Sequence, residues 1–466
     1  MAKSSKQYAC QSCGAVTTKW SGKCESCNEW NTITEEIVEA SVPKGLGNRR
    51  KGNALNFVPL KGSTTEKKPR HVTGLAEFDR VTGGGLVPGS AILIGGDPGI
   101  GKSTLLLQAV CKLALSGKRA LYVSGEEAVD QVRLRAQRLG LDNAPVELAA
   151  ATSVRDIIAS VDDGAQAPDI LVIDSIQTMY VDTVESAPGT VTQVRTSAQE
   201  LIRMAKRRGI CTLFVGHVTK DGQIAGPRVL EHLVDAVLYF EGDRGHQFRI
   251  LRTVKNRFGP TDEIGVFEMA QEGLVEVANP SELFLAQRQE HVAGSAVLAG
   301  LEGTRPVLVE VQALVAPSAL GNPRRAVIGW DSNRLAMVLA VLEARCGVTL
   351  SDSDIFLNIA GGIRISEPAA DLAVAAALIS SQTGQAVQGN TVFFGEVGLS
   401  GEIRTVSQPD VRIKEAAKLG FEQAMIPAPP KRSKKGKKQD NNPLKIRQID
   451  HLDDLVTLFS AQKRAA

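Results

Sequence analysis

No uninterrupted apolar stretch in this 466-residue chain approaches the ~20 residues that a membrane-spanning helix needs. The opening residues, MAKSSKQYACQSC, hold no apolar core of a secretory signal, so the cytoplasm is the expected compartment and no membrane partner is expected. An excess of one charge is also missing. Lys and Arg number 54 against 51 Asp and Glu, a net +3, so a nucleic-acid partner has to be argued from local patches. Aromatic residues make up only 4%. Hydrophobic residues at 43% and charged ones at 23% are ordinary for a globular protein, and the length allows two or three domains, each with its own core.

Cysteine, by contrast, is concentrated. Four of the seven form two hooks, Cys10-x2-Cys13 and Cys24-x2-Cys27, with ten residues between them. Such hooks place four thiolates around one Zn²⁺, and in so short a segment the metal would supply most of the folding free energy. Disulfides or a redox dithiol are the alternative, which the absence of an export signal argues against. Cys111, Cys211 and Cys346 fall in apolar periodic stretches and are expected to be buried core thiols. Residues 1–35 are therefore read as a zinc finger, and the polar, basic residues 36–71 as a linker.

Residues 72–275 alternate strand and helix patterns, which predicts an α/β domain with a largely parallel sheet. Strands are expected at Ala91–Gly95, Ala120–Val123, Ile170–Asp174, Thr212–Gly216 and Phe248–Thr253. Helices are expected at Lys102–Leu115, Val129–Leu139, Val154–Val161 and Val191–Arg208. Between the first strand and first helix, Gly96-Asp97-Pro98-Gly99-Ile100-Gly101-Lys102-Ser103 matches GxxxxGK[ST] at every fixed position. Gly95 and Thr104 flank this loop. Its backbone N–H groups make a phosphate nest at a helix N-terminus, Lys102 reaches the β- and γ-phosphates, and the Ser103 hydroxyl ligates Mg²⁺. A Gly-rich turn without chemistry is the alternative, and strand, loop and helix in sequence count against it. ATP and Mg²⁺ are the expected ligands.

Asp174 ends an apolar strand about seventy residues after the P-loop, where it can hold the Mg²⁺ water shell. Ser175 follows it rather than a second acid, so the carboxylate that aligns the attacking water must come from elsewhere. Glu126 is the first choice and Glu127 the alternative. Either can be an ordinary acid at a helix start. His217 ends the Thr212 strand and can touch the γ-phosphate, although a lone histidine is more often structural.

The four-cysteine head, GDPGIGKST (96–104), YVSGEE (122–127), LVIDSIQT (171–178) and Lys255-Asn256-Arg257-Phe258-Gly259 carry a resemblance. On these residues the whole chain resembles the bacterial RadA (Sms) family of DNA repair proteins, and its centre resembles the RecA-type ATPase core. KNRFG is that family's own signature. The resemblance implies nucleotide bound between subunits of a homo-oligomer, a hexameric ring like those of replicative helicases. Lys255 and Arg257 would then reach the γ-phosphate of a neighbouring subunit as arginine fingers do, a solvated or DNA-contacting basic turn being the alternative. It also implies that the loops 181–189 and 219–228 meet single-stranded DNA through Lys220 and Arg228, with Arg203, Lys206, Arg207 and Arg208 adding charge. Neither loop interleaves aromatics, so backbone-led, salt-sensitive contact is expected. The basic run Lys431–Lys438 is a second candidate.

Residues 280–466 read as a further α/β unit that resembles the proteolytic domain of Lon through FFGEVGLSGEIRTV (393–406) and VRIKEAAKLGFEQAMIP (411–427). Ala369 stands where that family places its serine nucleophile and Asp410 near its lysine base. Lys414 and Ser366 lie close by in sequence, but displaced. A catalytically inactive scaffold is expected. The fold class is thus α/β: a RecA-like P-loop core between a zinc ribbon or knuckle and a Lon-protease-like domain. The resemblance implies a DNA-dependent ATPase acting in homologous recombination, processing branched DNA intermediates with the RecA recombinase. An ATP-dependent Lon-like protease and a RecA-type regulatory ATPase or autokinase are the competing readings.

Overall fold

The structure, a computed structural model, describes residues 5–10, 16–17, 19–25, 29–30, 33–38, 69–162, 167–217, 229–242, 248–261, 263–286, 288–289, 291–318, 322–387, 390–428 and 443–465. The chain divides into two compact units, Met1–Glu276 and Val277–Ala466.

At the N-terminus, β1 (Ser5–Cys10), β2 (Val16–Thr17) and β3 (Ile33–Val38) pair antiparallel in the order β2-β1-β3. Cys10 and Cys24 are buried with Ile33, and Tyr8 packs on them. Cys13 and Cys27 lie outside the described residues. No group of three or more metal-binding side chains occurs among the described residues.

Within the same unit α1 (Ala76–Val81) precedes β4 (Ala91–Gly96), α2 (Lys102–Leu115), β5 (Ala120–Ser124), α3 (Val129–Arg138), β6 (Val146–Ala150), α4 (Val154–Asp162) and β7 (Ile170–Asp174). Then come α5 (Val191–Arg208), β8 (Cys211–Val215), α6 (Val229–Leu233), β9 (Ala236–Glu241), β10 (Phe248–Asn256), β11 (Ile264–Ala270) and β12 (Gly273–Glu276). They form a nine-stranded sheet, β12-β11-β10-β9-β4-β8-β7-β5-β6. From β9 to β6 all neighbours are parallel, and β10, β11 and β12 continue antiparallel.

Strands β4, β7 and β8 are buried on both faces, as continuous apolar runs in parallel sheets are. One face packs under α2 through Leu105, Leu106, Ala109, Val110 and Leu113. The other packs under α4 and α5 through Val154, Ile157, Val194, Leu201 and Ala205. Helix α5 starts where the Thr190 hydroxyl accepts the Gln193 N–H and stops at Gly209, which has left-handed φ.

Four strands of this sheet, β6, β9, β11 and β12, lie beyond the set expected from the sequence. β6 is a mostly exposed edge strand, so it lacks an apolar face to read. Strand β9 (AVLYFE) is a short apolar run, which periodicity alone does not distinguish from a helix.

The second unit runs α7 (Pro280–Leu285), β13 (Ser295–Glu302), β14 (Arg305–Pro317), β15 (Arg325–Ile328), α8 (Ser332–Cys346), β16 (Ser353–Ile359) and α9 (Asp371–Thr383). It ends with β17 (Thr391–Phe393), β18 (Glu396–Val397), β19 (Ile403–Arg404), α10 (Pro409–Lys418), β20 (Gln423–Ile426), β21 (Lys445–Gln448) and α11 (Leu452–Ala465). Its seven-stranded mixed sheet has the order β15-β16-β14-β13-β17-β20-β21. The hairpin β13–β14 forms its centre. Helix α9 is buried nearly all round, from Asp371 to Ser380, as its apolar sequence requires. Cys111 and Cys211 are buried as expected, whereas Cys346, at the last turn of α8, is only half-buried. Among the described residues no helix is long and apolar enough to cross a membrane.

Candidate active site

Parallel pairing aligns the carboxyl ends of β4, β5, β7 and β8, so the segments that follow them meet at one edge of the sheet. Gly96 approaches Phe240 so closely that a Cβ there would lie 2.5 Å from its carbonyl oxygen. Gly101, at φ +113°, caps α2 in a conformation side chains rarely adopt. Lys102 is buried, and its Nζ donates to the Gly96 and Asp97 carbonyls at 2.6 and 2.7 Å. Burial pushes its pKa down, against the pull of Asp174, Asp97 and Glu126.

Asp174 is buried and accepts hydrogen bonds from Tyr122 and Ser103. Burial raises its pKa, these two bonds lower it, and the charges of Glu126 and Glu127 raise it again. A hydroxyl and a carboxylate side by side, next to the phosphate loop, fit Mg²⁺, which takes oxygen ligands and typically one or two carboxylates. Tyr122 belongs to no candidate set read from the sequence. It pairs with Val172, so Asp174 is its diagonal neighbour on the same face, a relation that only strand register reveals.

The two glutamates separate cleanly. Glu127 accepts from Arg135 at 2.5 Å, and its own N–H is taken by the Ser124 hydroxyl. Glu126 instead meets His217 Nε2 at 2.8 Å and the Ser175 hydroxyl at 2.5 Å. Burial would raise the Glu126 pKa. The hydrogen bonds from Ser175 and His217, with the charges of His217 and Lys102, outweigh it and hold the group below its ordinary value. The Asp174–Ser175 peptide is cis.

Gly125 fixes the approach of these loops. Its N–H donates to the Asp174 carbonyl at 2.7 Å, and a Cβ would fall 2.1 Å from Thr178 Oγ1. Gly125→Ala is therefore expected to push Glu126 away from the site. Turnover should drop on the order of 100-fold, as a displacement of about 1 Å can produce, while nucleotide binding changes little. Steady-state kinetics beside a fluorescent-nucleotide titration checks this, and wild-type turnover would refute it.

Lys255 and Arg257 are not brought to this edge. Asn256 pairs with Ala236 at the start of β9, and Arg257 N–H donates to the Asp235 carbonyl. By register Lys255 is level with Leu93 and Arg257 with the start of β4, roughly 10 Å and 16 Å of strand before Gly96. Lys255 Nζ donates to the Glu231 and Val234 carbonyls at 2.5 and 2.8 Å. Buried Asp235 accepts from Arg257 at 3.0 Å and from the Ala91 N–H at 3.1 Å. Arg70 ties the KNRFG turn to the preceding glycine turn by donating to the Gly83 and Phe258 carbonyls.

Lys220, Arg228 and the run 431–438 lie outside the described residues. Of the basic residues expected on α5, Arg203 pairs with Glu200, Lys206 with Asp235 and Arg208 with Asp162. Loop 181–189 is gathered by Gln193, whose amide donates to the Val181, Val184 and Ser186 carbonyls.

In the second unit Ala369 is buried, while Ser366, Asp410 and Lys414 are exposed. Arg–carboxylate pairs with one buried member each flank Ala369: buried Arg412 with half-buried Glu367 at 2.6 Å, and half-buried Arg334 with buried Asp371 at 2.5 Å. The buried basic side chain on α10 is thus Arg412, an arginine bound to a carboxylate, and not a lysine.

Comparison with known proteins gives the family and the domain types. Residues 71–282 match the family model described as the KaiC ATPase, 8–35 the rubredoxin metal binding domain, and 320–429 subunit ChlI of Mg-chelatase. The DNA repair protein RadA of Brucella abortus (strain 2308) is 62% identical over 433 residues, 92% of each chain. That of Bacillus subtilis (strain 168) is 50% identical, over 92% of this chain and 93% of the relative. Among solved structures, the RadB recombinase is similar with a TM-score of 0.37 at 22% identity, over 44% of this chain and 99% of that one. The architecture is a RecA-like ATPase fold with an N-terminal zinc ribbon and a ChlI/Lon-like C-terminal domain.

Proposed function

The chain belongs to the RadA family of DNA repair proteins, and from that premise we propose that it is a DNA-stimulated ATPase that moves on single-stranded DNA as a ring. The observation that carries this reading is the split between two half-sites. Lys102, Ser103, Asp174, Glu126 and His217 converge at one edge of the sheet, while Lys255 and Arg257 lie away from it. A neighbouring copy presenting its KNRFG turn would complete each pocket, so that hydrolysis requires assembly.

In this reading the loop 96–104 cradles the triphosphate, and Lys102 neutralises its β- and γ-oxygens. Ser103 and Asp174 hold Mg²⁺, which when bound adds further charge neutralisation. Glu126, kept ionised by its partners, takes the proton of the attacking water, and His217 lies where loss of the γ-phosphate would be felt by the loop beyond it. That loop, with Lys220 and Arg228, would contact the DNA backbone, and branched recombination intermediates handled with the RecA recombinase would be its substrates. Domain limits of 1–35, 36–71, 72–275 and 280–466 follow, the last serving as a scaffold without peptidase chemistry. Measuring ATP turnover with and without single-stranded DNA tests the motor, and forked substrates with opposite tails test unwinding. A monomer hydrolysing at full rate, indifferent to DNA, would end the proposal.

We assign Zn²⁺ to Cys10, Cys13, Cys24 and Cys27, of which Cys10 and Cys24 share one buried cluster. Cys24→Ser is expected to release zinc, measured with a chromogenic chelator, and to leave basal ATP turnover near wild type. Collapse of turnover would show that the head is part of the motor rather than a docking module.

A further inference from the structure

We propose that Ser175 is a positioning residue for ATP hydrolysis: its hydroxyl and the His217 ring pin one carboxylate oxygen of Glu126 and so turn the other toward the attacking water. The proposal rests on the reading of Glu126 as the base.

Ser175 is fully buried at the carboxyl end of β7. Its hydroxyl donates to Glu126 Oε1 at 2.5 Å, and His217 Nε2 meets that same oxygen at 2.8 Å. Two donors from different segments converge on one oxygen. A carboxylate so held has lost its rotational freedom about the last side-chain bond, and Oε2 is the oxygen left to receive a proton.

The main chain does not need that hydroxyl. The Ser175 carbonyl already accepts from Thr178 Oγ1 at 2.8 Å, which fixes the turn 176–178. The Gly125 N–H already joins the two loops through the Asp174 carbonyl. What remains for the Ser175 side chain is the Glu126 carboxylate. The titratable and charged groups around Glu126 are Lys102 from α2, His217 beyond β8, Asp174 of β7 and Glu127 beside it. Among these Ser175 is the uncharged donor, able to orient the carboxylate without neutralising it.

In the step it serves, the water oxygen bonds to the γ-phosphorus as the bond from that phosphorus to the β–γ bridging oxygen breaks. The bridging oxygen leaves with the electron pair on ADP, and one water proton passes to Glu126 Oε2.

The test uses the full chain and compares Ser175→Ala, Glu126→Gln and the double variant. Ser175→Ala should lower kcat on the order of tenfold at unchanged KM and unchanged nucleotide affinity. In the Glu126→Gln background the same change should cost nothing further, because the carboxylate it orients is gone. Wild-type kcat in Ser175→Ala, or a second tenfold loss in the double variant, would overturn the proposal. If Glu126→Gln itself hydrolyses ATP at the wild-type rate, the base assignment fails instead, independently of Ser175. Should Ser175→Ala not bind nucleotide, Ser175→Cys is read in its place. It keeps a weak donor at the same position, and a loss smaller than tenfold is expected, whereas full kcat again refutes the role.

Discussion

Lys102→Ala is expected to abolish ATP turnover, with kcat reduced by at least on the order of 10²–10³. The ammonium is the cation closest to where the triphosphate must sit, and it is held by two loop carbonyls, at 2.6 Å from Gly96 and 2.7 Å from Asp97. Its removal has two consequences in this geometry. The developing charge on the γ-phosphoryl oxygens loses its counter-ion. Asp174 and Glu126 also lose the positive charge that offsets their mutual repulsion, which weakens binding of an anionic ligand. Lys102→Arg is not expected to rescue turnover, because a planar guanidinium does not fit the pocket that a compact ammonium fills. Initial rates of phosphate release, read beside nucleotide affinity, check the expectation. Residual hydrolysis above a tenth of wild type would remove the P-loop lysine from the mechanism.

Lys255→Ala should leave nucleotide affinity intact but slow hydrolysis on the order of 10³-fold, the scale of losing an arginine finger. Within its own chain this lysine is remote from the phosphate loop and engages the backbone carbonyls of residues 231 and 234. A cis role therefore predicts almost no effect, and a trans role a large one. Mixing decides between them. Subunits with Lys255→Ala retain Glu126, and subunits with Glu126→Gln retain Lys255. Where the first is followed by the second around a ring, one complete pocket is restored. In a random equimolar assembly about one interface in four is of this kind, so turnover should return to a fraction of that order. Absence of any rescue would count against a shared pocket. Arg257 should behave similarly but more weakly, since Asp235 anchors it and half of its side chain is solvent-exposed.

The strands and helices legible in the sequence were those with an unambiguous period or a chemical motif. AILIGG followed by a glycine-rich loop and a lysine leaves little choice, and β4, the P-loop and α2 lie where the pattern places them. Helix α5 shows a clear apolar stripe with a threonine cap and a terminal glycine, and its limits match the expected ones. The central hairpin β13–β14 was less legible, because an unbroken apolar run such as SAVLAGLE is equally compatible with a buried helix until its partner strand is known.

By itself the sequence determined the nucleotide-binding loop, the paired cysteines of the N-terminal ribbon and the ATPase class, because each depends on residue types at short, fixed separations along one segment. Only the tertiary structure set Glu126 against Ser175 and His217 and Glu127 against Arg135, brought Tyr122 and Ser175 onto the acidic pair, and placed Lys255 and Arg257 away from the P-loop end of the sheet. Those outcomes depend on strand order and register, which juxtapose residues about fifty to ninety positions apart. Distances across a sheet arise from burying its whole apolar surface at once, and no local stretch of sequence encodes them.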